Sequence, residues 1–507
     1  MRPFRLTDAA LARLAAGRPS ADTLAELRKA QLSSHLLLLG EILRADRNPP
    51  WYADRPPREV VADPMTGLYA ATAVAALHAG TDPPDRDVLV VPGGHTLTTT
   101  CAGRTLRVRL EDRDPLRDRL GLRPAAPLTR AEVAGWQRRL DEAWQILVRR
   151  HPAAAATLAE VLRVIVPVEP DPGAGISATS ANAYGAVAMS APADGLSLAV
   201  GLLHETQHSL LNATRTLFDL VLPSAGRTYS PWRDDPRPAF GILHGAYAYL
   251  AVTRFWRTEA AGCTGNRQAA FEYARWRAAV VAAADGLLDG DLLTSAGRRF
   301  VSALRDEAAG WLPEPLDPEV ERLAGGANLD HRVRWRLRNL RVDPCAAASF
   351  AAAWRTGRPR PPAPEPAPSP APSRELEKSA RLNLIHARLS TPPPAGPRSG
   401  ADPVLRGPAL RPGGGVRPGD DAYLRGDHGT AYAAYLKDLR EETARRRRTR
   451  SAPPDLDDLW SGLALVLPAL RERPELVRAV YLALDAPDRA AVDLPDLAAW
   501  LAAPPHP

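Results

Sequence analysis

Eight of the sixteen residues from Arg358 to Ser373 are proline. Proline has no backbone N–H and holds φ at about −65°, so such a run favours extended polyproline II and supplies no core of its own. The chain is therefore expected to fold in pieces on either side. A second tract rich in Pro and Gly, Thr391–Gly419, widens the break, with a short helix predicted at Arg374–Leu389 between the two. The expected division is a domain over 1–355, a disordered linker over 356–419 and a C-terminal helical domain over 420–507. Within the first, residues 1–160 read as an α+β part and 161–355 as the part that carries the chemistry. A chain of 507 residues with 45% apolar side chains has material for more than one core.

Hydrophobic spacing then fixes the class as α+β and mostly helical, with a small β-sheet. Leu11, Leu14, Leu24, Leu27, Leu32 and Leu36 to Leu38 recur near the helical period over 7–47, and Gly67–His78 is a second helix. Three β-rich runs follow, Val88–Val91, Thr96–Cys101 and Thr105–Leu110, with Gly93-Gly94 and Ala102-Gly103 between them, the pattern of a meander. Thr129-Arg130-Ala131-Glu132 is a capping box that opens a helix reaching His151. Leu162–Glu169 reads as a strand and Gly175–Ser190 as an extended segment. Further helices are expected at Phe240–Arg257, Asn266–Leu288, Thr294–Leu312, Pro318–Leu340, Asp420–Thr443 and Leu456–Ala502. In the last two, Tyr423-Leu424-Arg425-Gly426-Asp427 and Leu459-Trp460-Ser461-Gly462-Leu463-Ala464 are similar to a tetratricopeptide-type hairpin; a plain helical bundle is the alternative.

Chemistry concentrates in His204-Glu205-Thr206-Gln207-His208, inside the apolar stretch Leu196–Val221. Histidines at i and i+4 project from one helix face a turn apart, the spacing at which two imidazoles share a metal ion, and Glu205 beside them is placed to handle a proton. A catalytic metal needs a third protein ligand. His244, on the next helix, is the favoured candidate and Glu259 its competitor. Asp219, eleven residues past His208, lies about 16 Å further along the helix rise, too far for the same ion. The Asp234-Asp235 pair is a further candidate. Arg215, Arg233 and Arg237 crowd the region and suit a carboxylate ligand, although Arg233 and Arg237 can equally clasp Asp234 and Asp235 as a structural loop. Tyr247 and Tyr229 are candidates to stabilise an oxyanion. The segment Ser177–Met189 can hold an extended peptide by backbone hydrogen bonds, or can serve as an ordinary core strand.

Composition narrows the partners. Of 65 basic residues only Lys29, Lys378 and Lys437 are lysines, and the arginines are spread over the whole length. The one dense run, Arg445–Arg450, has no interleaved aromatics, so the net charge of +7 is not read as a nucleic-acid site. No apolar stretch is long enough for a membrane span, and the first residues lack the apolar run of a secretion signal, which makes the cytoplasm the expected location. Cys101, Cys263 and Cys345 are far apart and fit no paired metal spacing.

Four separated motifs occur in order: Leu-Leu-His-Glu-x-x-His-Ser-Leu-Leu-Asn (Leu202–Asn212), Trp-Arg-Asp-Asp-Pro-Arg-Pro (Trp232–Pro238), Leu-His-Gly-Ala-Tyr (Leu243–Tyr247) and His-Arg-Val-Arg-Trp-Arg-Leu-Arg-Asn-Leu (His331–Leu340). Together they resemble the HExxH-motif peptide-modification proteins, found in bacterial clusters for ribosomally made, modified peptides. The resemblance covers roughly residues 5–355. It implies a zincin-like, peptidase-like scaffold, with His204, His208 and His244 as metal ligands, acting on a precursor peptide by Fe(II)- and 2-oxoglutarate-dependent hydroxylation. An arginine would grip the cosubstrate, and other maturation enzymes could dock on the C-terminal helices. Two alternatives stay open: a zinc peptidase with Glu205 as general base, and a peptide-binding scaffold without catalysis. An all-histidine triad departs from the familiar iron set of two histidines and a carboxylate.

Overall fold

In a computed structural model of the chain, residues 4–45, 58–84, 93–171, 175–262, 265–369, 379–390, 417–449 and 456–503 are described. The Val88–Val91 run, most of the Thr391–Gly419 tract and the side chains of Arg445–Arg450 lie outside them. The elements run α1 (Asp8–Ala15), α2 (Ala21–Ala45), α3 (Arg58–Val61), α4 (Pro64–Ala79), β1 (His95–Cys101), β2 (Arg104–Leu110), α5 (Arg130–Arg150), α6 (Pro152–Val161), β3 (Val164–Val168), β4 (Ser177–Ala178), β5 (Ala186–Ser190) and α7 (Gly195–Arg215). There follow β6 (Thr228–Ser230), β7 (Arg233–Arg237), α8 (Ala239–Gly262), α9 (Arg267–Asp289), α10 (Ser295–Ala309), α11 (Pro318–Asn339), β8 (Leu340–Arg341), α12 (Pro344–Thr356) and β9 (Ala367–Pro368). The chain ends in α13 (Ala380–Ser390), α14 (Pro418–Leu424), α15 (His428–Thr449), α16 (Asp457–Val466), α17 (Pro474–Ala483), α18 (Ala486–Ala491) and α19 (Leu494–Ala502). The class is thus mostly helical with a small mixed sheet.

These elements form two compact units that interleave along the chain. The first comprises Met1–Ser224, Ala239–Gly262 and Trp276–Glu314; the second comprises Ala225–Pro238, Cys263–Arg275 and Pro315–Pro507. This differs from the division expected at 355, because α11 and α12 give Leu323, Val333, Leu337 and Phe350 to the same core as Trp460, Leu463 and Tyr481 of the C-terminal helices.

In the first unit the sheet has strand order β1-β2-β3-β5-β4, with β2, β3 and β5 mutually parallel and the two edges antiparallel to their neighbours. The β1–β2 hairpin closes on Ala102 and Gly103, both at positive φ, as a tight two-residue hairpin turn requires. Strands β3 and β5 are buried on both faces. Ile165, Val187 and Met189 join one core with Trp136, Leu140 and Trp144 of α5 and Leu198, Leu202 and Leu203 of α7. Val164, Val166, Ala186 and Ala188 join another with Met65, Leu68 and Tyr69 of α4. The expected capping box is present: the Glu132 backbone N–H donates to Thr129 Oγ1 and the Thr129 backbone N–H to Glu132 Oε2.

The second unit corrects the linker. Part of the proline tract is docked: Ala367–Pro368 pairs antiparallel with β8, and the Ser369 N–H donates to the Asn339 carbonyl at 2.8 Å. Two-residue edge pairing is the sheet role that proline tolerates. Helix α13 is anchored by Arg381, buried with Asp330, Asp420, Ser461 and the Asp458 carbonyl around its guanidinium. Tyr435, fully buried, donates to Asp420 at 2.7 Å. A Cβ at Gly419 or Gly462 would lie 2.6 Å from its ring, so both positions exclude side chains.

Candidate metal centre

Helix α7 starts from Asp194, whose carboxylate accepts from the Ser197 N–H at 2.8 Å. Its first residue, Gly195, lies so close to α5 that a Cβ there would fall 2.3 Å from Glu142 Cβ. That approach, with Leu198, Leu202 and Leu203 in the core, fixes the helix rotation and so the direction of the histidine face.

His204 and His208 converge, their Nε2 atoms 3.0 Å apart. With metal–nitrogen bonds of about 2.0–2.1 Å, nitrogens at that separation reach one ion without rearrangement. Among the described residues, His204, Glu205 and His208 are the one group of three potential ligands whose donor atoms all lie within 4.8 Å of each other. Burial keeps the imidazoles neutral, the form that binds a metal: it lowers the His204 pKa to about 4 and that of His208 well below the ordinary value, the latter helped by His244 and His204. His208 Nδ1 and Glu205 Oε2 are buried without a hydrogen-bond partner. The residues fit a metal ion.

Glu205 is set behind the pair, 1% exposed, and receives the Ser177 hydroxyl at 2.6 Å on Oε1. Burial raises its pKa to about 7, with Ser177 and the nearby Thr179 hydroxyl opposing the shift only in part. Ser177 comes from β4, the outermost strand of the sheet, whereas β5 is paired on both sides. Of the segment Ser177–Met189, only β4 therefore offers a free edge.

The face of α8 meets that of α7 in antiparallel register. Arg215 lies over the Phe240 ring at 4.1 Å, His244 stacks on His208 with centroids 3.8 Å apart, and Tyr249 meets His204 edge-on at 5.4 Å. Phe240 also touches His244, and Tyr249 packs on Trp276 at 4.3 Å. The result is one ladder of rings, from Phe240 through the three histidines to Trp276. His244 stands beside the converging group rather than within it; burial, with His204 and Arg215 close by, lowers its pKa to about 4. It is the nearest further imidazole able to complete the donor set.

Several candidates are placed elsewhere. Glu259 is fifteen residues beyond His244 on α8, about 22 Å of rise. There it binds His151 Nε2 and Arg150 Nη1, each at 2.7 Å. Tyr247 is fully buried, donates to the Leu14 carbonyl at 2.6 Å and packs on Phe300, so its hydroxyl is committed to the core. Tyr249, half-buried beside His204, is the tyrosine that sequence reasoning missed. Arg233, Arg237 and Tyr229 belong to the second unit. There Arg233 and Arg237 clasp Asp235, each Nε 3.1 Å from a carboxylate oxygen, which is the structural-loop alternative. Tyr229 bonds His331 Nδ1 at 2.9 Å, and Asp234 takes Arg338 at 2.9 Å. Burial alone would raise the Asp234 pKa, but His331, Arg334 and Arg338 outweigh it and hold the carboxylate ionised. The second and fourth sequence motifs therefore meet each other in that unit.

The chain matches no family model and no curated protein.

Proposed function

We propose that the chain is a mononuclear metalloenzyme that modifies a ribosomally made precursor peptide. The observation that carries this reading is the 3.0 Å convergence of the His204 and His208 Nε2 atoms beside a buried, clamped Glu205. His204, His208 and, after a turn of its ring, His244 would hold the ion. The sequence resemblance favours Fe(II) with 2-oxoglutarate as co-reductant and O2 as oxidant, a set that when bound would supply the chemistry to hydroxylate a peptide side chain. Of the three candidate arginines, Arg215, placed over Phe240 next to His244, is the one in this unit and would take a cosubstrate carboxylate. The free edge of β4 would align the peptide backbone by strand addition.

A second reading, zinc-dependent hydrolysis, is favoured by one specific observation. Glu205 lies beside the histidine pair with Oε1 held by the Ser177 hydroxyl and Oε2 left open, placed to take a proton from a nucleophilic water. Glu205 would hold that proton at Oε2, with Ser177 fixing the other oxygen. We read the first unit as zincin-like and the C-terminal helices as a tetratricopeptide-like platform for other maturation enzymes. No helix among the described residues is long and apolar enough to cross a membrane, which accords with a cytoplasmic setting.

The test is to load the protein with iron without oxygen and then add candidate precursor peptide, 2-oxoglutarate and O2, reading the peptide mass. Gain of one oxygen supports hydroxylation, and cleavage restored by zinc alone supports the second reading. An unchanged peptide under both metals, at full metal occupancy, overturns both in favour of a binding scaffold.

A further inference from the structure

A second polar cleft lies in the first unit, away from the histidine ladder, where α2 passes the end of α6. Arg28, Gln31, His35, Glu160, Arg163 and Tyr184 supply its polar lining. Arg163 is a fixed wall. Its guanidinium donates to the carbonyls of Ala159, Glu160 and Leu162 at 2.7–2.9 Å, closing the C-terminal end of α6. These carbonyls orient the group but bring no full negative charge to it.

Arg28, half-buried on α2, makes no hydrogen bond or ion pair among the described residues. Yet it is close enough to Arg163 that its charge adds to burial in weakening the hold of Arg163 on its proton. Glu160 is the one acid in the lining; it forms no ion pair with either arginine, but its charge partly offsets that of Arg28 at Arg163. Among the described residues the hydroxyl of Tyr184 makes no hydrogen bond; burial raises its pKa, so it remains a donor. Deeper in, His35 gives Nδ1 to the Val61 carbonyl at 3.1 Å and leaves Nε2 buried against Gly67 without a partner. Gln31 is tied to Thr216, just past α7. Two guanidiniums facing one cleft, their charge offset only in part by Glu160, repel each other unless an anion lies between them.

We propose that this cleft binds a small oxyanion, a phosphate or carboxylate group, held by the guanidiniums of Arg28 and Arg163 and the hydroxyl of Tyr184. The planar forks suit either head group bidentately, and the fixed Arg163 lowers the ordering cost of the second contact. The proposal goes beyond the metal chemistry and does not rest on it.

The experiment titrates inorganic phosphate, and separately acetate, into the full-length protein at constant ionic strength set with sodium chloride, followed by calorimetry and by thermal shift. One phosphate per chain is expected, with a Kd of about 1 mM or tighter. Arg28→Gln should weaken it at least about 10-fold and Tyr184→Phe by a smaller factor. Neither substitution removes a hydrogen bond or ion pair among the described residues, so without phosphate Tyr184→Phe should melt like the parent and Arg28→Gln, relieved of the repulsion from Arg163, no lower. Competition by acetate at similar concentration marks a carboxylate-bearing ligand, and indifference to acetate a phosphorylated one; either supports the site. Absence of saturable binding up to about 20 mM phosphate, or equal binding by parent and Arg28→Gln, overturns it.

Discussion

Replacing Glu205 with Gln should stabilise the metal-free protein more at pH 8 than at pH 5. Glu205 has a folded pKa of about 7 against an ordinary value of 4.5. The carboxyl is favoured neutral in the fold, so its contribution is fully present below pH 4.5 and is lost as pH rises through 7. A shift of 2.5 units corresponds to about 3 kcal/mol, and about 2–3 kcal/mol of that falls between pH 5 and pH 8. Solvent softens it little at 1% exposure. Gln keeps the acceptor for Ser177 and places an amide where Oε2 has no partner, a cost of about 1–3 kcal/mol that is independent of pH. The quantity to measure is therefore the change in the variant-minus-parent difference between the two pH values. Urea unfolding of chelator-treated protein reads it directly; in melting temperature it should amount to roughly 3–5 °C. A saturating divalent cation should shrink it, since the ion supplies the charge that makes an ionised Glu205 tolerable. A difference that is flat with pH, or that moves the other way, refutes the claim that Glu205 is a neutral, buried acid in the empty site.

Three further expectations follow from the same geometry. His208→Ala removes one of the two converging nitrogens and should lower metal affinity at least about 100-fold by competition with a chromophoric chelator, while Tyr247→Phe, which loses only the bond to the Leu14 carbonyl, should leave metal content unchanged. Arg381→Met strands Asp330 and Asp420 as buried charges and should cost about 3–5 kcal/mol in denaturant unfolding; a loss below 1 kcal/mol would mean that water already reaches the pair. Gly195→Ala forces α7 away from α5 and should cost about 1–3 kcal/mol, seen as a lower melting temperature, with weaker metal binding if the histidine face turns with the helix.

Much of this was legible before any coordinates. The Thr129–Glu132 box is local chemistry within four residues, and the His204–Glu205–His208 cluster lies within a turn of one helix. What stayed hidden depends on how separate segments pair. Tyr247 and Tyr249 are indistinguishable on α8 by periodicity, because residues all round that helix are buried. Only the antiparallel register, Arg215 with Phe240, His208 with His244 and His204 with Tyr249, decides between them. Likewise the loop arginines offered charge in the right stretch of sequence, but Asp235, two residues from each, satisfies them locally. The proline tract shows the same limit, since its composition forbids a core without forbidding an edge strand.

The alternation of the two units along the chain has a consequence for how such a protein is inherited. Six segments alternate between them, so the backbone passes from one to the other five times. A single recombination event cannot detach either unit whole. A cut after Glu314 leaves Ala225–Pro238 and Cys263–Arg275 stranded in the fragment that carries the histidine pair, without the helices that complete their core. The histidine pair and the C-terminal helices are thus expected to travel between genomes as one indivisible piece, gained together and lost together, unlike domains strung on a removable tether.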